Sequence, residues 1–324
     1  MQRLENAVKS KALELLNNQT VNRVLGWAKG EFCYDVSPAV FFNEKDLEKF
    51  VYNGFCGANL SKYLIEESKK EGKILVFLKP CDTYSFNQLI KEHRIKRENV
   101  YIVGVECQGK FDVQNLNAKG IEFVDSVEET LDKVTVNGSI VLDRDDVKLE
   151  RCTVCDKKHM VYDELVEINE KVPSSKDRFA LVKELEAMTP DERYAFWKKE
   201  LSKCIRCNAC RNVCPACSCE KCIFDNDNSG YVNKAPVTSF EENMFHIIRA
   251  FHVAGRCTDC GECSRVCPQG IPLHLLNRKF ISDINKTYGE YQAGETADQR
   301  PPLVNFTQND PEPSDVVKGG HDHA

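Results

Sequence analysis

The sequence predicts two regions of different class: an α/β N-terminal domain with a small parallel or mixed sheet, then an all-α domain. Two observations predict this order. Helical and strand-like patterns alternate over residues 1–150, whereas residues 186–295 are helical and hold two runs of cysteines. We expect domains at 1–170 and 186–295, a polar connector at Lys171–Asp177, and a disordered or partner-bound tail at 296–324.

The elements of the first domain follow from its hydrophobic pattern. Met1–Leu16 is predicted to be an amphipathic, charged helix, without the apolar core of a signal peptide. A short apolar strand at Lys73–Lys79 is followed by a helical pattern as far as His93 and by a second strand at Asn99–Val105. This order predicts a βαβ unit, in which a right-handed crossover joins two parallel strands.

Three helices are predicted around the cysteine runs of the second domain. One starts at Thr189, one starts at Ser239 within the 42 residues that separate the runs, and one starts at Pro272. Ser239 and Glu242 form a predicted capping box, and Gly255 is the predicted stop signal. The apolar positions of the middle helix are Phe240, Met244, Ile247, Ile248 and Phe251. Its polar residues are His246, Arg249 and His252. We expect them to lie on the helix surface, and a role in tuning the clusters is the alternative.

The composition limits the function classes. The chain has 17 cysteines in 324 residues, mostly in C-x2-C spacings, which suit metal thiolates better than disulfides. Its net charge of −6 argues against a nucleic-acid partner. No apolar run approaches the roughly 20 residues that are needed to cross a bilayer. These features predict a protein that has no transmembrane segment and that works in a reducing, anaerobic cytoplasm.

A repeated cysteine pattern predicts electron transfer. The pattern C-x2-C-x2-C-x3-C-P occurs at Cys204–Pro215 and again at Cys257–Pro268. It is typical of paired 4Fe-4S clusters in which the fourth cysteine of each run binds the other cluster. The ligands predicted for cluster one are Cys204, Cys207, Cys210 and Cys267. The ligands predicted for cluster two are Cys257, Cys260, Cys263 and Cys214. A zinc ribbon is the alternative, but it uses C-x2-C pairs.

A third 4Fe-4S cluster is predicted in the first domain. Cys81 and Cys107 each follow the carboxyl end of a predicted strand, where ligands bind in open parallel sheets. Cys152 and Cys155 form a separate C-x2-C pair, so the four together complete a thiolate set. Taken singly, each is also explained as an ordinary small side chain, and Cys56 is an alternative ligand. The remaining cysteines are Cys33, expected to be structural, and Cys217, Cys219 and Cys222, expected to pack near cluster two.

Both domains resemble known families. The cysteine runs and their helices are similar to the helical, ferredoxin-like dicluster domain of succinate dehydrogenase iron–sulfur subunits and heterodisulfide reductase small subunits. Lys79–Asp82, Glu106–Gly109 and Cys152–Asp156 resemble the beta subunits of coenzyme F-420-reducing hydrogenases and formate dehydrogenases. In that family these elements hold a 4Fe-4S cluster beside FAD. This chain departs from the family in placing its cysteine runs after the domain and in having a shorter C-terminal flavin region.

The resemblance implies an FAD site at the edge of the predicted sheet. Lys79 is expected near N1 of a reduced flavin. Asp82 or Thr83 is expected to cap a helix whose N-terminal amides favour a phosphate. The full set of expected cofactor-binding residues is Asn59, Lys62, Lys79, Pro80, Asp82 and Thr83. Solvated side chains are the alternative for the two lysines. The chain has no G-x-G-x-x-G fingerprint, so a nicotinamide site of the Rossmann type is not predicted.

These observations favour an iron–sulfur, FAD-containing electron-transfer subunit of an anaerobic, multi-subunit oxidoreductase. The flavin would exchange an electron pair with a partner or a soluble carrier, such as ferredoxin or a deazaflavin, and split the pair for the clusters. A flavin-free relay with clusters only is the first alternative, and a zinc-organised interaction module is the second. The sequence contains no recognisable nickel–iron, molybdenum or tungsten site. We therefore expect partner redox subunits, in a complex of the hydrogenase, formate dehydrogenase or heterodisulfide reductase kind, to oxidise the substrate.

Overall fold

A computed structural model describes residues 2–169, 174, 176–225 and 238–303. The predicted connector at Lys171–Asp177 lies mostly outside these residues, as does most of the predicted tail at 296–324. An α/β region with a mixed sheet is followed by a mostly helical region that starts at Ala180, which confirms the predicted fold class. Among the described residues, no helix combines the length and the apolar character that a membrane span requires.

The first region alternates helices and strands. Its strands are β1 (Arg23–Lys29), β2 (Val36–Phe41), β3 (Ile74–Leu78), β4 (Val100–Val105), β5 (Val127–Glu129), β6 (Lys133–Val136), β7 (Ile140–Asp143) and β8 (Glu164–Val166). Its helices are α1 (Gln2–Asn17), α2 (Leu64–Glu67), α3 (Pro80–Lys91), α4 (Val113–Ala118), α5 (Arg144–Val147) and α6 (Glu150–Thr153). Turns of 3-10 helix cover Asp46–Lys49, Leu60–Tyr63 and Arg97–Asn99. The predicted N-terminal helix is confirmed as α1.

A five-stranded mixed sheet forms the core of this region, with strand order β2-β1-β3-β4-β8. Strands β1 and β2 are antiparallel, whereas the other neighbours are parallel, with Val76 of β3 opposite Ile102 of β4. The parallel pair joined by α3 confirms the predicted βαβ unit. All five residues of β3 are buried, as expected for a central parallel strand. Strands β5, β6 and β7 form a separate antiparallel sheet.

Helix α3 begins directly after β3, at the edge of the sheet where the parallel strands end. Lys79 is the N-cap residue and Pro80 occupies the first helical position, where its missing N–H costs nothing. The prediction that Asp82 or Thr83 caps the helix was therefore wrong, because the helix starts earlier in the chain. The Asp82 carboxylate lies in the first turn and accepts from the Lys79 backbone N–H at 3.4 Å.

The second region is built from helices and loops. Its helices are α7 (Ala180–Ala187), α8 (Pro190–Leu201), α9 (Ala209–Asn212), α10 (Ser239–His252), α11 (Glu262–Arg265) and α12 (Leu273–Tyr288), with a 3-10 turn at Ile223–Asp225. Thr189 caps α8 as predicted. The capping box of α10 consists of Thr238 and Glu241, so the predicted pair Ser239 and Glu242 was wrong by one residue. Gly255 has a φ of +70° just beyond the end of α10, as its predicted role as a stop requires.

Candidate metal centres

The two cysteine runs form loops of the same shape. Each loop leads into a one-turn helix, α9 in the first run and α11 in the second. The backbone adopts a positive φ at two matching positions in each loop: Arg206 (54°), Asn208 (61°), Asp259 (56°) and Gly261 (68°). Residues in this left-handed region turn the chain sharply. The repeated sequence thus folds twice into the same thiol-bearing loop.

The thiols predicted for cluster one line a single cavity. Cys267 joins the three cysteines of the first run there, as the cross-over prediction requires. Burial is the main cause that raises the pKa of the Cys204 thiol to about 12, and a hydrogen bond with Glu242 adds to the rise. Cys207 is exposed, whereas Cys210 and Cys267 are buried. One edge of this set therefore reaches the protein surface.

The thiols predicted for cluster two surround Cys214. Burial raises the pKa of the Cys257, Cys260 and Cys263 thiols, and the charge of Cys214 raises each of them further. Such an effect in a protein interior requires close neighbours. The Cys217 thiol donates a hydrogen bond to Cys214 and lowers the pKa of that thiol to about 6. Cys217 thus packs beside this set, where the sequence predicted it.

Four cysteines of the first region line another cavity, at the carboxyl ends of β3 and β4. Cys81 lies in the first turn of α3, Cys107 follows β4, Cys152 lies in α6, and Cys155 follows α6. Thr258 from the helical region lines the same cavity. The structure therefore brings together the four thiols predicted for a third cluster, at the contact between the two regions. Their role as ligands stays a prediction.

The remaining cysteines lie away from this cavity. Cys56 is fully buried and its thiol is 3.5 Å from the Val51 carbonyl oxygen, so it is not placed as an alternative ligand. The Cys33 thiol is 3.5 Å from the Val124 carbonyl oxygen, as expected for a structural residue. Cys219 is exposed. Cys222 packs against a core that holds Cys210 and Cys267 of cluster one together with Cys263 of cluster two, so its predicted place near cluster two stays a prediction.

No three thiols of these sets lie as close together as the ligands of one metal ion do. Among the described residues, the group of three potential ligands whose atoms all lie within 4.8 Å of one another consists of Cys204, Glu242 and His246. A tetrahedral zinc ion with Zn–S bonds of about 2.3 Å would hold its sulfur atoms about 3.8 Å apart. No three cysteines among the described residues meet that distance. No three thiols in the part of the chain that the structure describes are therefore arranged as a closed site for one zinc ion.

A buried arginine connects the first-region cavity with the thiols of cluster two. Arg151 lines the cavity of Cys81. Its guanidinium donates to the carbonyl oxygens of Cys260 and Gly57 and to the Glu262 carboxylate, the last at 2.7 Å. Because Glu262 is 0% exposed, the pair is a buried salt bridge between the two regions. It places a positive charge beside two sets of thiols, where anionic centres would need one.

The inner face of α10 combines buried polar and apolar residues, although hydropathy predicted an apolar one. His246 and Arg249 are 1% and 2% exposed, so the prediction that they are plain helix surface was wrong, whereas His252 is exposed as predicted. The guanidinium of Arg249 lies among the thiols of Cys210, Cys214 and Cys263, whose charges act on it. The apolar residues that face outwards are Phe240, Ile247 and Phe251. The helix turns its cation inwards because neighbouring thiolates stabilise it there.

Most residues predicted to contact FAD are engaged in internal hydrogen bonds. Lys79 is 0% exposed, and its Nζ donates to Asp82 Oδ2 at 2.8 Å and to the Ala58 carbonyl oxygen at 2.7 Å. The Thr83 hydroxyl donates to the Pro80 carbonyl oxygen at 2.6 Å. Lys79 and Pro80 also line the four-cysteine cavity. These contacts stabilise the start of α3.

The other two predicted flavin residues lie at the 3-10 turn before α2. Asn59 is buried, accepts from the Ser61 backbone N–H and donates to Ser85 Oγ at 2.9 Å. Lys62 Nζ donates to the Cys217 carbonyl oxygen at 2.5 Å and so connects the first region to the helical one. A role in FAD binding stays a prediction for all six residues.

Residues 200–271 match the family of 4Fe-4S dicluster domains. This range contains the eight cysteines of the two runs. The helical region therefore matches an iron–sulfur domain, and it gives the chain the ligand pattern of iron–sulfur electron-transfer proteins.

The chain resembles beta subunits of formate dehydrogenases. It is 26% identical to the F420-dependent formate dehydrogenase subunit beta of Methanocaldococcus jannaschii, over 361 aligned positions that cover 90% of this chain and 92% of the relative. It is also 26% identical to the F420-dependent formate dehydrogenase 1 subunit beta of Methanococcus maripaludis, over 90% of each chain. The resemblance predicted from the sequence is thereby confirmed. Because the aligned length exceeds 324 residues, the relatives contain insertions that this chain lacks.

A chain of the F420-reducing NiFe hydrogenase complex from Methanosarcina barkeri is a structural neighbour. It is 17% identical with a TM-score of 0.37, over 48% of this chain and 59% of that chain. A likeness of this size carries no argument about fold or function.

Proposed function

We propose that this chain is an iron–sulfur electron-transfer subunit of a multi-subunit oxidoreductase and that it holds three 4Fe-4S clusters in series. One observation carries the proposal: the three cysteine sets adjoin one another through the protein. Arg151 adjoins both Cys81 and Cys260, and Arg249 adjoins both Cys210 and Cys263. When bound, such clusters take up and release single electrons. An unbroken series of sites is what a relay requires.

The chain's own residues would hold and shield these centres. Each set provides four thiols, and the buried arginines supply positive charge where anionic centres would otherwise be costly. Cys207 is exposed at one end of the series. The opposite end lies at the cavity of the first region. We therefore propose that a partner redox subunit docks at the end marked by Cys207.

The names of the relatives support the choice of partners. They are subunits of F420-dependent formate dehydrogenases. By analogy, we propose that a partner subunit oxidises formate or hydrogen and that the complex exchanges electrons with a deazaflavin carrier or with ferredoxin. We also propose that the complex works in an anaerobic cytoplasm, where reduced thiols persist.

A bound FAD is the second candidate. The relatives depend on F420, a deazaflavin that exchanges electron pairs, whereas clusters exchange single electrons, so a flavin is needed between them. The internal contacts of Lys79, Asp82 and Thr83 favour the other candidate, a flavin-free relay. In that case the flavin would belong to a partner subunit.

Chemical analysis of the anaerobically purified chain separates these proposals. Three clusters predict about twelve irons and as many acid-labile sulfides per chain. About eight irons would remove the first-region cluster, and one flavin per chain would select the FAD-containing form. Zinc in place of iron would overturn the proposed function altogether.

Paired cysteine variants test the third site. Replacing Cys152 and Cys155 together by serine should remove about four irons and leave the dicluster signals unchanged. The matched control is Cys33→Ser, because Cys33 lies outside the cavity and its variant should keep the full iron content. An unchanged iron content in the double variant would contradict the assignment.

A further inference from the structure

The guanidinium of Arg249 is a buried charge without a carboxylate partner. Arg249 is 2% exposed on α10, and none of its side-chain nitrogens bonds to an oxygen or nitrogen atom of the described residues. The Cys263 thiol is its hydrogen-bonding neighbour. A buried cation is costly unless it is paired, so this charge calls for an anionic partner at the thiols.

The neighbours of Arg249 identify that partner chemically. Burial lowers the pKa of Arg249, but the charges of Cys263, Cys214 and Cys210 outweigh burial and raise it. Cys263 and Cys214 belong to the set predicted for cluster two, whereas Cys210 belongs to that of cluster one. Five N–H donors in one rigid plane can therefore face both sets at once.

The charge of Arg206, another arginine near cluster one, is balanced by the protein itself. Arg206 Nη1 lies 3.3 Å from the Glu242 carboxylate, and its guanidinium stacks 3.9 Å from the centre of the Phe245 ring. Arg249 has no acidic group among its dominant neighbours.

We propose that Arg249 is a positioning residue for both clusters of the helical domain, donating hydrogen bonds to their sulfur atoms and raising their reduction potentials together. A reduced cluster carries one more negative charge than an oxidised one, so a nearby cation stabilises the reduced form. Because one side chain adjoins both sets, removing its charge should shift both potentials in the same direction. This inference rests on the proposed clusters.

The experiment is a redox titration of the anaerobic full-length chain, followed by electron paramagnetic resonance. Arg249→Met removes the charge and keeps the aliphatic stem, whereas Arg249→Lys retains the charge. His252→Gln is the matched control, since His252 is exposed on the same helix. In the Met variant, the ratio of reduced to oxidised cluster at a fixed potential should fall about tenfold or more, which is 59 mV for one electron.

The outcomes are distinct. The proposal is supported if the Met variant lowers the potentials of both dicluster centres while the Lys variant recovers part of the loss and the control shows none. An unchanged or raised potential at either centre of a fully loaded Met variant would overturn it. The absence of any 4Fe-4S signal from the unmodified chain would instead overturn the proposed function.

A second measurement decides the case in which the Met variant fails to bind its clusters. Pulsed paramagnetic resonance of protein labelled with nitrogen-15 arginine should detect arginine nitrogen coupled to the reduced dicluster centres. That coupling should weaken in labelled Arg249→Lys protein, which keeps every other arginine. Identical spectra from the two proteins would show that Arg249 does not contact the clusters.

Discussion

Replacing Glu262 by glutamine should destabilise this protein by several kcal/mol, because Glu262 is the buried counter-charge between the two regions. Its side chain is 0% exposed. It accepts from Arg151 Nη1 at 2.7 Å, from Arg265 Nε and Nη2 at 2.8 Å each, and from the Asn59 backbone N–H at 3.1 Å. Glutamine keeps the shape of the side chain but removes the carboxylate charge that both Arg151 and Arg265 face.

The magnitude follows from two independent arguments. Burial alone would raise the pKa of Glu262, but the charges of Arg265 and Arg151 outweigh burial and hold the pKa at about 2, against 4.5 for an ordinary glutamate. At 1.36 kcal/mol per pKa unit, this difference corresponds to about 3 kcal/mol in favour of the charged form. Removing one partner of a buried ion pair typically costs about 3–5 kcal/mol. The two figures agree, so we expect a loss of about 3 kcal/mol.

The pH dependence has a definite sign. Since the folded-state pKa of Glu262 lies below the unfolded one, its contribution is complete above about pH 4.5 and is lost as the pH falls towards 2. The assay is anaerobic urea unfolding at neutral pH, followed by circular dichroism after the iron content has been measured. Glu66→Gln, at an exposed pair with Lys69, is the control and should cause no measurable change. A loss below about 1 kcal/mol with full iron content would refute the reasoning, because that is the scale of an exposed pair.

Two further predictions concern buried or half-buried charges of α3 and its end. Lys79→Met should cost about 3–5 kcal/mol, because it leaves the Asp82 carboxylate buried without its counter-ion, and the double variant with Asp82→Leu should recover much of the loss. The same urea assay measures both variants, and equal losses in the two would contradict a charge-pair origin. Burial raises the pKa of Glu92, but its hydrogen bonds and the charge of Arg256 outweigh burial and hold the pKa below 4.5. The contribution of Glu92 to the free energy of unfolding is therefore present above that pH and fades below it. Glu92→Gln should therefore flatten the fall of Tm below about pH 5 in calorimetry, and an unaltered slope would argue against the bridge.

Much of the candidate site was predictable because most ligands of a 4Fe-4S cluster lie at short, fixed spacings in the sequence. Three thiols within seven residues, followed by cysteine and proline, define a ligand loop whatever surrounds it. Cys81 and Cys107 were predictable for another reason: both follow buried strands, and parallel strands place their carboxyl ends at one edge of the sheet.

The charges around the thiols were not predictable from hydropathy. A periodic apolar pattern assigned Phe240 and Phe251 to the inner face of α10, yet both are exposed and Arg249 is buried. Hydropathy treats any cation as a surface residue, whereas neighbouring thiolates reverse that preference. The Arg151–Glu262 pair joins residues that are 111 positions apart in the sequence, and a local sequence pattern cannot predict such a contact. The one available signal was position, since each residue directly precedes a predicted cysteine ligand.

The thiols of the helical region are close together in the sequence, whereas those of the first-region cavity are far apart, so the two kinds of site should differ in when they can take up iron. Cys204, Cys207 and Cys210 are neighbours before any tertiary structure exists. The thiols of the first-region cavity meet only after β3 and β4 have paired and α6 has packed beside them. In the unfolded chain, iron would thus find three ligands of each helical-domain cluster already close together, whereas filling of the sheet-edge cavity must wait until the first region has folded.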